Sequence, residues 1–323
     1  MALPFSGISV VVPIYNGQQT LRELAKRIQE TLEPLGLAFE LVMVNDGSMD
    51  ESWNVVLDLA KNNGWIRGIS LLRNYGQHSA LLCGIRAARY DVCVTMDDDL
   101  QQAPEDIPLL LEKLAQGYDM VYANPKARPH GWFRNSASSA VKLVLKKVMG
   151  AEMGGYVSPF RAFRTRIRDA FTSFNDPFVS VDVLISWGTR RFAHIQVPYY
   201  PRQTGQSNYN LARLMSFTFN LVSGFSTMPL RMASIAGLGF SIFGFCILAF
   251  VVGRFFIFGS PVQGFTFLAS SIAIFSGVQL LALGIMGEYL ARIHLRQMQK
   301  ATYIIAENSE TSEPLLPGGP RLS

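Results

Sequence analysis

A chain of 323 residues that is 49% hydrophobic is long enough for one full core plus an appendage. A positive mean hydropathy of +0.20 with only 16% of residues charged is unusual for a purely soluble domain, while the net charge of +5 is compatible with one. No aromatic-interleaved basic patch argues for nucleic acid, and three scattered cysteines, Cys83, Cys93 and Cys246, read as small hydrophobes rather than a disulfide frame or a metal site.

In chain order, ISVVVPIY (Ile8 to Tyr15) is a buried-type strand ending in turn residues. TLRELAKRIQETLEPLG follows with helical spacing, placing Leu21, Leu24, Ile28 and Leu32 on one face. FELVMVNDGS is a second strand running into a loop, SWNVVLDLAKNN a helix, IRGISLLRN a third strand, HSALLCGIRAAR a helix and DVCVTMDDD a fourth strand. This alternation predicts an α/β domain, a parallel sheet with helices on both faces. PEDIPLLLEKLAQG reads as a helix opened by Pro104, Glu105 and Asp106, and DMVYANPK as a further strand. Residues 130–150 have the pattern of a basic amphipathic helix.

The apolar excess is local. No charge occurs from Met232 to Gly253, nor from Phe255 to Gly287, and each run supplies the roughly 20 apolar residues that cross a bilayer core. FGSPVQG, Phe258 to Gly264, is a Gly/Pro turn between them. The expected organisation is a domain at 1–210, an interfacial helix at 211–231, transmembrane helices at 232–254 and 265–289, and a partly disordered tail at 290–323. MALPFSGIS at the N-terminus leads straight into a strand and does not read as a signal peptide. Arg213 and Arg231 precede the hairpin, and Arg292, Arg296 and Lys300 follow it. By the positive-inside rule both termini and the α/β domain face the cytoplasm, as in an integral plasma (inner) membrane protein of two spans.

The polar clusters PIYN, NDGS, RNYG and DDD all fall at strand C-terminal ends, where parallel sheets bind ligands. On an extended chain Asp97 and Asp99 point to one side and Asp98 to the other. With Gln101 they offer hard oxygen ligands of the kind Mg2+ or Mn2+ takes together with a diphosphate. Asp46 is placed to accept a hydrogen bond from a nucleobase or ribose, and Arg73, Arg161 and Arg202 to hold phosphate oxygens.

SVVVPIYNG, VNDGSMD, LLRNYGQHSAL, MDDDLQQAPEDIP, FRAFR and GQSNY, followed by two apolar helices, resemble the family 2 glycosyltransferases of the GT-A fold. More closely, they resemble the polyprenyl-phosphate glycosyltransferases, a group that includes dolichyl-phosphate mannose synthase, bactoprenol glucosyltransferases and undecaprenyl-phosphate 4-deoxy-4-formamido-arabinose transferase. The resemblance implies a GT-A, Rossmann-like, mostly parallel sheet and inverting transfer of a sugar from a nucleotide donor, a UDP-sugar first among them, to a lipid phosphate. It implies that Pro13, Tyr15 and Asp46 hold base and ribose, and that Asp97, Asp99 and Gln101 form the metal and diphosphate site. Arg202, Ser207 and Tyr209 would then belong to a loop closing on the diphosphate. A homo-oligomer, often a tetramer, is a further implication.

Three positions depart from that pattern. Gly17 stands where Glu is usual, Asn208 where close relatives have Lys, and Gly155 where relatives carry an Asp proposed as catalytic base or acceptor-site residue. Asp98 and Asp182 are candidates to replace that base. The departures leave a second reading open: a catalytically degenerate membrane protein that binds nucleotide sugar or lipid phosphate as a scaffold. His78 is expected at a helix start lining the site. The sugar is open, and the base is open among uracil, guanine and thymine.

Overall fold

The computed structural model describes residues 3–126, 155–198, 200, 228–258, 265–298 and 300–310. They divide into two compact units, one of Met1–Leu214 with Lys300–Ser323, the other of Met215–Gln299.

In the first unit the strands are β1 (Gly7–Ile14), β2 (Ala38–Asn45), β3 (Ile66–Leu71), β4 (Val92–Thr95), β5 (Met120–Pro125), β6 (Arg161–Arg164), β7 (Phe192–Val197) and β8 (Ile305–Asn308). The helices are α1 (Leu21–Leu32), α2 (Ser52–Asn62), α3 (Gln77–Ala87), α4 (Ile107–Ala115) and α5 (Val181–Gly188). One sheet takes the order β7-β5-β6-β4-β1-β2-β3-β8. β1 pairs in parallel with β2 and β4, and β2 with β3. β6 runs antiparallel between β4 and β5, and β7 is parallel to β5.

Every residue of β1 and of β3 is buried, which is why these strands read as unbroken apolar runs rather than alternating ones. α1 buries Leu21, Leu24, Ile28 and Leu32, the face its spacing predicts. Each such side chain contributes about 1.5–3 kcal/mol of burial. The helix expected over residues 104–117 begins as a 3-10 turn at Pro104–Asp106 and becomes α4 at Ile107, with proline in its first turn.

The tail holds a strand that the sequence pattern did not announce. Ile305–Asn308 is ordered as an antiparallel edge strand on β3. Trp53 Nε1 donates to Glu307 at 2.8 Å, and Glu310 pairs with Arg67 and Arg89. The chain that follows the helical pair thus finishes the sheet that precedes it.

The second unit holds α6 (Met228–Phe258) and α7 (Phe265–Gln297). They pack on each other where the Phe275 ring lies against Gly244 and meets Phe240 edge-on. Both outrun the expected spans: at 1.5 Å per residue each is roughly 45–50 Å long. Residues 228–231, expected in a separate interfacial helix, form the first turn of α6. The most apolar stretches are Leu230–Arg254 and Ile274–Ala291, and neither is buried by protein. Residues 211–227, the 130–150 helix and the tail beyond Glu310 lie outside the described residues.

Candidate active site at the sheet switch point

The chain lays β1, β2 and β3 outward in one direction and then places β4 on the other side of β1. The reversal opens a crevice beyond the ends of β1 and β4. Pro13 is buried in β1, and Tyr15 stands exposed just past its end. Asn16 takes a positive φ of 55°, turning the chain into the loop ahead of α1. Beyond β4, Leu100 has φ 58° while its side chain is buried. A bulky residue in that region is strained, and such strain gathers at functional loops.

Asp46, the residue after β2, is 2% exposed. Its Oδ1 accepts the Tyr75 N–H at 2.7 Å and its Oδ2 the Gly76 N–H at 2.8 Å. Burial pushes its carboxyl above the ordinary range, and the two N–H bonds oppose that rise. The next residue, Gly47, has φ +64°, and a Cβ there would lie 2.5 Å from the Arg73 carbonyl carbon. The β2–α2 loop therefore rests directly on the 73–76 backbone. Arg73 itself is exposed, its guanidinium 4.6 Å from the centre of the Tyr75 ring.

The same loop reaches the acidic motif through Gln77, the first residue of α3. Gln77 Nε2 donates to Asp97 Oδ1 at 2.6 Å, and Gln102 Nε2 to Asp97 Oδ2 at 3.3 Å. The Gln101 N–H donates to Asp99 Oδ1 at 3.1 Å. Strand β4 stops at Thr95, so the alternation expected for 97–99 does not govern these residues. They sit in a turn, and each has a different environment: Asp97 between two glutamines, Asp99 against the following backbone, Asp98 against Gly17. Gln77 and Gln102 are site residues that motif reading passed over, although both flank the recognised clusters RNYG and DDD.

Arg161 has a different surrounding from the one expected. It is 1% exposed, and its guanidinium pairs with Asp182 and donates to Thr95 Oγ1 at 3.0 Å. The Tyr122 hydroxyl donates to the same Asp182 oxygen at 3.2 Å. Burial works against the charge on Arg161, but Asp182, Tyr122 and Asp97 outweigh it and hold the guanidinium charged. Burial also drives the Tyr122 phenol well above its usual range. Asp182, weighed as a replacement base, is committed to this buried pair. His78, in the first turn of α3, receives the Val181 N–H on Nδ1 at 3.4 Å. Burial, with Arg161 adding and Asp182 opposing, holds its pKa below the usual 6.5, so the ring is neutral at physiological pH.

Among the described residues no three His, Cys, Asp or Glu side chains gather into a ready-made metal cage. A divalent cation bound together with a diphosphate needs only one or two protein carboxylates, the remaining ligands being phosphate and water. Asp97 and Asp99, hard donors on one short turn, fit that requirement. Arg202, Ser207 and Tyr209 lie outside the described residues. Tyr200, which is described, lies beside the acidic turn, its N–H donating to the Gln101 carbonyl at 3.2 Å.

The profile of the family described as Glycosyl transferase family 2 matches residues 9–174, more than half of the chain. Among solved structures, similarity is found to glucosyl-3-phosphoglycerate synthase from Mycobacterium tuberculosis in complex with Mn2+, UDP and phosphoglyceric acid. The identity is 20%, the TM-score 0.51, and the match covers 68% of this chain and 76% of that one. The complex of that enzyme with Mn2+, UDP-glucose and phosphoglyceric acid matches at 20% identity and TM-score 0.51, covering 68% and 78%. A structure described as a mycobacterial protein matches at 20% identity and TM-score 0.51, covering 68% and 73%. At this identity the likeness is one of fold, and that fold is GT-A.

Proposed function

Because the chain belongs to glycosyl transferase family 2, we propose that it moves a sugar from a nucleotide-sugar donor to a polyprenyl phosphate at a membrane. The observation that carries the lipid acceptor is the pair of long apolar helices, unburied by protein, borne on the same chain as a GT-A sheet. Residues up to Leu214 and from Lys300 belong to one compact unit, so a hairpin that crosses twice returns the chain to the side it left. With arginines flanking both ends of the hairpin, that side is the cytoplasm.

The donor lies over the crevice between β1 and β4. Tyr15 and the β1–α1 and β2–α2 loops take the nucleoside; Asp46 fixes the 73–76 loop that presents Arg73 and Gln77. The fold neighbours' complexes with Mn2+ and UDP or UDP-glucose support a divalent ion and a uridine donor. Asp97 and Asp99, with Gln101, would hold that ion, which when bound supplies charge neutralisation for the leaving diphosphate. Gln77 and Gln102 keep Asp97 oriented. In this reading Arg202, Ser207 and Tyr209 are the further residues assigned to the donor diphosphate by the family resemblance.

A phosphate oxygen of the lipid attacks the anomeric carbon. The new C–O bond forms as the bond to the nucleoside diphosphate breaks, and the diphosphate leaves with the electron pair on the opposite face. Phosphate monoesters have a second pKa near 6, so the nucleophile is largely dianionic and needs no proton removed. Gly155 in place of a base is compatible with such a reaction, which rests on positioning and charge stabilisation.

The test supplies purified protein in detergent with Mn2+ or Mg2+, undecaprenyl phosphate and a panel of nucleotide sugars, and reads glycosylated lipid by mass spectrometry. One lipid product, lost with EDTA, is expected. Nucleotide binding without product from any donor would favour a non-catalytic role.

A further inference from the structure

Gly17 is a glycine that its backbone does not require: among the described residues the positive-φ glycines are Gly36, Gly47, Gly76 and Gly117. The reason for it is a neighbour. A Cβ on Gly17 would overlap Asp98 Oδ2, stand 3.1 Å from Asp98 Cγ and 3.7 Å from Ile14 Cγ2.

Gly17 has little freedom to recede. Its N–H donates to Ser52 Oγ at 2.9 Å, and its carbonyl accepts both the N–H and the hydroxyl of Thr20, each at 3.0 Å. The residues beside it are tied to the β2–α2 loop as well. The Asn16 N–H reaches Ser48 Oγ at 3.0 Å, Asn16 Oδ1 accepts the Met49 N–H at 2.9 Å, and Glu51 N–H reaches Gln18 Oε1 at 2.9 Å. The two loops on the nucleoside side thus form one plate. Asp98 bears on that plate from the far side of the crevice, between Asp97 and Asp99, which face other partners.

We propose that Gly17 and Asp98 are a matched positioning pair. The missing side chain at 17 seats the Asp98 carboxylate, and from that seat Asp98 sets the distance between the acidic turn and the nucleoside loops. The proposal rests on the donor site described above. A side chain at 17 displaces the Asp98 carboxylate from that seat while Ser52 and Thr20 hold the plate in place, and the acidic turn that carries Asp97 and Asp99 loses its contact with the nucleoside loops.

The test uses the full chain in detergent as wild type, Gly17→Ala, Asp98→Ala, Asp98→Asn, and Gly17→Ala combined with each Asp98 change. Three quantities are read: melting temperature, affinity for UDP, GDP and dTDP with Mn2+, and the Mn2+ concentration that half-saturates nucleotide binding. Gly17→Ala is expected to weaken nucleotide binding about ten-fold, within the coupling range of directly contacting residues. It is also expected to raise the Mn2+ requirement. In the Asp98→Ala background the same change costs little on any readout, because the overlap is gone. In the Asp98→Asn background the cost persists, because the bulk remains. Equal effects of Gly17→Ala in the wild-type and Asp98→Ala backgrounds would overturn the pairing. A loss of melting temperature with unchanged nucleotide and Mn2+ affinities would reduce the pair to packing and overturn its positioning role. If wild type binds none of the three nucleotides with Mn2+, the proposed donor site falls and this role with it, while the melting temperatures still decide the steric pairing.

Discussion

Gly47 and Gly36 have almost the same backbone, φ +64° and φ +65°, in different surroundings. A Cβ on Gly36 meets nothing within 4 Å, whereas one on Gly47 would come within 2.5 Å of the Arg73 carbonyl carbon and 2.6 Å of the Asn74 nitrogen. Gly36→Ala therefore reads the cost of a left-handed residue alone, about 1–2 kcal/mol. Gly47→Ala carries that cost plus the separation of two backbone segments by about 1 Å to reach ordinary contact distance. Overpacking of that kind costs about 1–3 kcal/mol more. The strained contact also lies beside the bonds from Tyr75 and Gly76 to Asp46, so separation loosens the loop that presents Gln77 to Asp97. Thermal unfolding of both variants in detergent should show Gly47→Ala melting several degrees below Gly36→Ala. Titration with UDP and Mn2+ should show weakened binding only in Gly47→Ala. If the two variants melt together and bind alike, the β2–α2 loop does not bear on the 73–76 loop, and the described coupling of Asp46 to the acidic turn is wrong.

Asp182→Ala leaves the Arg161 guanidinium charged and buried, and should cost about 3–5 kcal/mol. The double change Arg161→Met with Asp182→Leu should recover most of that in chemical denaturation, and a near-neutral Asp182→Ala would refute the pair. His78 titrates below 6.5 in the folded chain, so the unfolded chain binds more protons in the window from 6.5 downward. Stability should therefore fall as pH drops through that window, and His78→Gln should flatten the slope in melts from pH 7 to pH 5. Ending the chain after Lys300 uncovers the β3 edge and removes the partners of Trp53, Arg67 and Arg89. The truncated protein should melt lower and aggregate, as seen by size exclusion, whereas Glu310→Gln, at a partly exposed pair, should cost less than about 1 kcal/mol.

The central sheet was legible because β1 to β4 are buried on both faces and separated by helices of clear period, as with Leu21, Leu24, Ile28 and Leu32. The rim was legible for the same reason: once the strands are placed, PIYN, NDGS, RNYG and DDD must lie at one end. The tail strand was not, because Ile305–Asn308 is four residues long and takes its meaning from β3, more than 230 positions earlier. Nor was the commitment of Arg161. By residue type Arg161 is a candidate to hold phosphate oxygens, and only the folded chain brings Asp182, in the first turn of α5, to it. The separate surroundings of Asp97, Asp98 and Asp99 were hidden because period-2 alternation ends with the strand, at Thr95. Gln77 and Gln102 drew no notice because neither is among the positions matched to the metal motif, as Gln101 is, and their role shows only where their amides hold Asp97.

The central claim is that the acidic turn after β4 carries sugar transfer to a lipid phosphate. Its most direct test is the rate of sugar transfer to undecaprenyl phosphate by wild type and by Asp99→Asn, with the active donor, saturating Mn2+ and matched folded protein. The account predicts transfer by wild type and a fall of about 100-fold or more in the variant, the scale of losing one group that stabilises charge at the reacting centre. Undiminished transfer by Asp99→Asn would contradict it.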